Sequence, residues 1–253
     1  MRMGTLEAGL RARFDLREER FEHAGWAVDL ILPRAADELI DETEFAGDER
    51  LPYWAELWPS ARALARYLLE NGSAKARASG SAKVRECERA KAGEGDWAGV
   101  RVLELGCGVA LPSLALASRG AEVLATDWYD DALRFARANA ERNGLPPLRT
   151  ELLDWRQPRG GWGYDLVIAA DVLYEQRNGP LLAALLPRVT APGGTVLVAD
   201  PGRVYANDFL RLARDTGWEV EQAAVRAEPS AAGAESAVRI HRLRRAEGIP
   251  VGV

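Results

Sequence analysis

The chain predicts a doubly wound α/β fold, with a mostly parallel sheet and an antiparallel strand pair at its C-terminus. Three observations carry this. Apolar strand-like runs alternate with amphipathic stretches of helical period from about residue 100 onward. Tyr164–Ala170 is almost continuously apolar, as a strand buried on both faces must be. Trp218–Ala227 and Ser236–Leu243 follow one another with no helix between them, so they must pair antiparallel.

The stretch from Val100 to Trp128 organises the rest. Val102, Leu103 and Leu105 form a strand, and Gly106 and Gly108 permit a sharp turn with backbone close to a ligand. Pro112 suits a first helical turn, the helix runs through Leu114–Ala117, and Gly120 stops it. A second strand ends at Asp127-Trp128. Such a unit binds nucleotide-like cofactors at its strand ends. Leu111 stands where a dinucleotide fingerprint has its third glycine, and no Lys-Ser/Thr follows to hold a triphosphate.

In order along the chain, residues 1–25 are charged and read as a solvated helical extension, and Trp26–Leu32 reads as a strand. An acidic loop follows through Glu49, so 1–50 is assigned as an N-terminal extension and 51–253 as the main domain. Pro52-Tyr-Trp-Ala-Glu-Leu-Trp-Pro-Ser60 feeds a helix whose Ala61, Leu64, Ala65 and Leu68 share one face, with Ser60 as cap and Gly72 as stop. Trp54 and Trp58 are either core aromatics or the lining of a site for a soft cation. Residues 73–98 contain almost no large apolar side chain and read as a flexible insertion. Asp130 caps the next helix, which Gly144 stops. Strands follow at Arg149–Leu153, Tyr164–Ala170 and Thr195–Ala199, with helices at Leu181–Val189 and around Phe209–Ala213.

The 253 residues are 47% hydrophobic, enough for a sizeable core. The formal charge of −5 argues against a nucleic-acid-coating surface. Cys87 and Cys107 have no metal-ligand companions, and the only histidines are His23 and His241. No apolar run reaches the ~18 residues that would span a bilayer, and the N-terminus lacks the apolar core of a signal peptide. A cytoplasmic monomer, without nucleic acid, membrane or metal, is expected.

The carboxylates at the strand ends are Glu104, Asp127, Asp154, Asp171 and Asp200. Glu104-x-Gly106-x-Gly108 resembles motif I of class I S-adenosylmethionine (SAM) methyltransferases, whose fold is a Rossmann-like seven-stranded sheet. By that resemblance Gly106 and Gly108 pack against the methionine part of SAM, and Glu104 orders the loop. Asp127 would accept from the ribose hydroxyls, Trp128 would flank the adenine, and Asp154 and Trp155 would read and stack it. Trp58 and Ala170 would complete the cofactor site.

Asp171-x-x-Tyr174 resembles the post-motif II of the seven-β-strand protein lysine methyltransferases. Together with the aromatic block and Asp200-Pro-Gly-Arg203, it is most similar to the electron-transfer flavoprotein β-subunit lysine methyltransferase branch. Bacterial relatives of that branch are often labelled nicotinamide N-methyltransferase-like. The resemblance implies SAM as cofactor, Asp171 and Tyr174 as catalytic residues, and a protein lysine as acceptor, with the flavoprotein β subunit one such partner. Methylation of a small nicotinamide-like molecule, or SAM binding without turnover, are the alternatives.

Overall fold

The computed structural model describes residues 4–34, 52–77, 96–157, 163–229 and 233–245. The acidic loop from 35, Cys87 and residues 78–95 of the expected insertion lie outside these. Helix α1 (Thr5–Arg11) leads into a hairpin of β1 (Leu16–His23) and β2 (Trp26–Pro33). A single 3-10 turn at Tyr53–Ala55 precedes α2 (Pro59–Arg77). Then come β3 (Arg101–Leu105), α3 (Leu111–Ala117), β4 (Glu122–Asp127), α4 (Asp130–Arg142) and β5 (Arg149–Leu152). The chain continues through β6 (Tyr164–Ala170), α5 (Asn178–Val189), β7 (Thr190–Asp200), α6 (Ala206–Asp215), β8 (Trp218–Pro229) and β9 (Glu235–Arg245).

From β3 onward the strands form one seven-stranded sheet in the order β5-β4-β3-β6-β7-β9-β8. Neighbours from β5 to β7 are parallel, and β9 runs antiparallel to both β7 and β8. The expected seven-stranded α/β sheet with its antiparallel end is present. Alternating side chains separate two cores. Val102, Ala125, Ile168 and Leu197 pack towards α2, α3, α4 and the hairpin. Leu103, Leu105, Val167 and Val198 pack towards α5 and α6. Strand order reverses between β3 and β6, which opens a crevice at their carboxyl ends.

Several local expectations are corrected. Residues 16–23 form a strand, not a helix. Arg17/Glu19 and Arg20/Glu22 are ion pairs two residues apart, neighbours on one face of a strand. Ala24 and Gly25, at φ 49 and 73, make the left-handed two-residue turn that matches strand twist. The segment is not simply solvated either, since Leu16 and Phe21 are buried in the main core.

Asp130 is the first residue of α4 rather than its cap; it pairs with Arg134 one turn on. Ser60 lies inside α2 and bonds elsewhere, as described below. Gly72, at φ 57 and ψ 175, breaks α2 where a stop was expected, although a further helical stretch continues to Arg77. Pro192-Gly-Gly194 does not separate two elements; it bulges within β7, whose register on β6 jumps from Tyr164↔Thr190 to Leu166↔Thr195.

The insertion ends earlier than its composition implied. Trp97 is 1% exposed and its backbone N–H donates to Arg119 O at 3.1 Å. An isolated aromatic among polar residues gives no periodic signal, so burial here was invisible to pattern reading. Trp97→Ala is expected to cost about 3–5 kcal/mol in urea unfolding. A loss below ~1 kcal/mol would return residues 96–98 to the linker.

Candidate active site

The crevice at the strand ends is an open cleft. Trp58, Glu104, Gly106, Gly108, Asp127, Trp128, Asp154, Trp155, Ala170, Asp171 and Tyr174 all line it. These residues come from five separate segments, four of them at the carboxyl ends of parallel strands, which the sheet delivers to one edge.

The turn after β3 is built by left-handed residues. Gly106, Gly108 and Ala110 have φ of 68, 51 and 67. A Cβ on Gly108 would sit 3.1 Å from Trp54 O, and one on Gly106 would meet Val172 Cγ1 at 3.0 Å. Both positions therefore need glycine for conformation and for space.

Glu104 is 1% exposed, and one of its oxygens accepts from the Ser113 N–H at 3.1 Å and from the Ser113 hydroxyl. It thus anchors the first turn of α3. Burial pushes its carboxyl up to about 8, against the lowering effect of the Ser113 hydrogen bonds. Asp127 accepts from Gly108 N–H at 2.9 Å and from Tyr129 N–H at 3.0 Å. It ties the tip of β4 to the glycine turn on one side and to the start of α4 on the other.

Arg156 lies 4.7 Å from the centroid of the Trp128 ring, and its Nε donates to both oxygens of Asp154. Trp128 and Asp154 are therefore joined by a cation that pattern reading had not placed there.

Another part of the lining is aromatic and ionic. Tyr53 packs edge-on against Tyr174 at 4.8 Å and against Trp58 at 6.0 Å. Trp58 Nε1 donates to Tyr53 O at 2.7 Å, fixing the aromatic block on itself. Trp54 is a core aromatic, 8% exposed and packed on Phe135 at 5.4 Å, and it also lines the cleft.

Asp171 holds an unusual backbone, φ 58 for a non-glycine, at the end of β6. Its Oδ1 accepts from Arg203 Nε at 2.7 Å and its Oδ2 from the Ser60 hydroxyl at 3.2 Å. Arg203 in turn lies 5.3 Å from the Trp58 ring centroid. Asp200 does not line the cleft. Its Oδ1 accepts from the N–H groups of Gly202 and Arg203 and so shapes the loop that delivers Arg203. Burial raises the Asp200 pKa against those hydrogen bonds.

The strand-end carboxylates are thus each offset locally by a hydrogen-bond donor or a cation. Arg203 and Ser60 had no assigned site role, because their meeting with Asp171 spans 32 and 111 residues. Tyr53, Asn178 and Tyr129 also line the cleft and were missed. Only Tyr53 carried a signal, as part of the aromatic block. Among the described residues there is no group of three metal-ligating side chains and no helix long and apolar enough to cross a membrane.

The raised carboxyl of Glu104 gives a signed prediction. Between about 4.5 and 8 the folded chain keeps a proton that an unfolded glutamate has released, so stability falls as pH rises through that window. Glu104→Gln keeps an acceptor for Ser113 and removes the titration. From pH 5 to pH 8 it is expected to gain at least ~1.4 kcal/mol relative to the parent, the worth of one pKa unit. Urea unfolding curves that stay parallel across pH would contradict this.

Comparison with known proteins supplies the family. Residues 47–214 match the family model described as lysine methyltransferase. An electron transfer flavoprotein beta subunit lysine methyltransferase from Danio rerio is 33% identical over 159 residues, covering 62% of this chain and 53% of that protein. Its Xenopus laevis counterpart is 36% identical over 156 residues, covering 60% and 53%. The chain spans about half the length of the curated relatives it matches. A Streptococcus mutans structure described as a putative SAM-dependent methyltransferase superposes with a TM-score of 0.56 at 14% identity, covering 89% of this chain and 55% of that one. That likeness concerns the fold, whereas the family match extends over most of the chain from the aromatic block to α6. The chain belongs to the lysine methyltransferase family.

Proposed function

We propose that this chain transfers a methyl group from SAM to a lysine side chain of a protein acceptor. The observation that carries the reading is the shared cleft. The Glu104–Gly108 turn and Asp127 line it together with Asp171, Tyr174, Tyr53 and Trp58. The residues fit the cofactor. Gly106 and Gly108 let the turn pack closely against Val172 and Trp54 while it lines the cleft, and the buried acid at the end of β4 holds it by the Gly108 N–H. In this reading Gly106, Gly108 and Asp127 hold the methionine and ribose parts, while Trp128, Asp154, Trp155 and Ala170 surround the adenine.

When bound, SAM supplies a methyl already activated by its sulfonium: the amine lone pair forms the N–C bond as the C–S bond breaks, leaving a neutral thioether. The protein's task is to aim a neutral amine and exclude water. A free lysine side chain titrates at about pH 10.4, so it is mostly protonated near neutral pH. Its proton must leave to solvent before attack.

The geometry favours a positioning role for Asp171 over capture of the ammonium. Its side chain is 3% exposed and already paired with Arg203. The pair is close to neutral as a unit, so it neither attracts the ammonium strongly nor stabilises it against losing its proton. The rings of Tyr53, Trp58 and Tyr174 offer the acceptor stem apolar faces and a weak cation–π attraction, roughly 0.5–2 kcal/mol. The Asp171–Arg203–Ser60 contact keeps the strand end that carries Tyr174 in place. The electron-transfer flavoprotein β subunit is the first acceptor to test, since relatives carry that name.

Incubation with methyl-labelled SAM and purified flavoprotein β subunit, then with a cell extract, tests the reading. Label is expected on protein lysine, rising about tenfold per pH unit below the lysine pKa because only the neutral amine attacks. Asp171→Ala and Tyr174→Phe are expected to cut transfer on the order of 100-fold, with SAM affinity kept within about tenfold. Label confined to a small molecule, or full protein methylation by Asp171→Ala, would overturn it.

A further inference from the structure

The hairpin of β1 and β2 contributes no residue to the cleft lining, yet one side chain joins it to the cofactor turn. Asn139 of α4 is 0% exposed. Its Oδ1 accepts from Ile31 N–H at 2.8 Å, and its Nδ2 donates to Ile31 O at 3.2 Å and to Val109 O at 3.3 Å. Asn143, one helical turn later, does the same for Asp29. Its Oδ1 accepts from Asp29 N–H at 2.9 Å, and its Nδ2 donates to Asp29 O at 3.0 Å and to Asn139 O at 2.8 Å.

Asp29 and Ile31 are two apart, so their peptide groups point to the same edge of β2, the edge facing away from β1. Two amide side chains on a helix therefore stand in for a third strand. They satisfy both the donor and the acceptor of each peptide unit, which a buried edge requires. Asn143 docks the hairpin only. Asn139 docks it and also holds Val109, the residue between Gly108 and the left-handed Ala110.

We propose that Asn139 is a positioning residue that couples hairpin docking to the shape of the SAM-binding turn. This rests on the cofactor reading given above. Without its Nδ2, Val109 O loses that donor inside a buried turn and Ile31 O loses its donor on the outer edge of β2. The coupling is reciprocal by thermodynamic necessity: if the docked hairpin favours SAM, SAM must favour the docked hairpin.

The test uses the full chain and S-adenosylhomocysteine as probe, with hydrogen exchange and calorimetry. In the wild type, saturating probe is expected to slow amide exchange in the peptide covering residues 26–33. Asn139→Ala and Asn139→Asp are expected to bind the probe about tenfold more weakly or worse, since an aspartate accepts from Ile31 but donates nothing to Val109. Asn143→Ala is expected to speed hairpin exchange while keeping affinity within about threefold. Wild-type affinity in both Asn139 variants, or no probe-dependent protection of residues 26–33 in the wild type, would overturn the proposal. If the Asn139 variants do not fold, the wild-type exchange measurement decides alone. A wild type that binds no probe by calorimetry would remove the cofactor reading, and this proposal with it.

Discussion

Between Leu105 and Leu111 the backbone enters positive φ three times, at Gly106, Gly108 and Ala110, and a turn of that shape cannot hold itself with helix or sheet bonds. One bond closes within it, Ala110 N–H to Cys107 O at 2.7 Å, and other polar groups go to partners outside the turn. Cys107 N–H donates to Thr126 O at 2.9 Å, Gly108 N–H to Asp127, and Val109 O receives Asn139. The Thr126 hydroxyl reaches back to Glu104 O at 2.6 Å, and Ser113 fixes the start of α3 on Glu104. The rest of the fold can be understood as what brings those partners to one place. The parallel pairing of β3 with β4 supplies Thr126 and Asp127, and α4 supplies Asn139.

Much of this was legible in the sequence because it is local. The Glu-x-Gly-x-Gly spacing, the acid ending the next strand and the apolar run of Tyr164–Ala170 each lie within a few residues. Strand order follows from connection rules once the alternation is recognised. What escaped was set by distant pairing. Arg203 was noticed in Asp200-Pro-Gly-Arg203, but nothing nearby says that it reaches Asp171. Ser60 reads as a helix cap because serine is a favoured capping residue, and only the fold turns it towards β6. The β1 strand was hidden for a different reason. Its charged residues fit a helix by propensity as well as a strand by two-residue pairing, and Ala24 is an uncommon residue for its turn.

The part of the cleft we propose for the acceptor differs in kind from the part we propose for the cofactor. On the acceptor side the polar groups largely satisfy one another: Asp171 with Arg203 and Ser60, Asp200 with the backbone of its own loop, Trp58 with Tyr53. The surface left for an incoming side chain is largely aromatic. A long aliphatic stem ending in an amine matches such a wall, and an amine already activated by loss of its proton needs aim more than it needs a strong base. The same arrangement explains why a strained backbone at Asp171 persists, since Ala199 O accepts its N–H at 2.9 Å while Arg203 and Ser60 hold its carboxylate.

In the proposed function the cleft is one reaction space, with the cofactor on the Gly106–Gly108 side and the acceptor on the Asp171–Tyr174 side. A crystal structure of the chain with S-adenosylhomocysteine tests it most directly. The account predicts ribose hydroxyls within hydrogen-bond distance of Asp127, with the thioether sulfur facing the space bordered by Tyr174 and Tyr53. A ligand bound elsewhere, or a sulfur turned away from that aromatic wall, would contradict it.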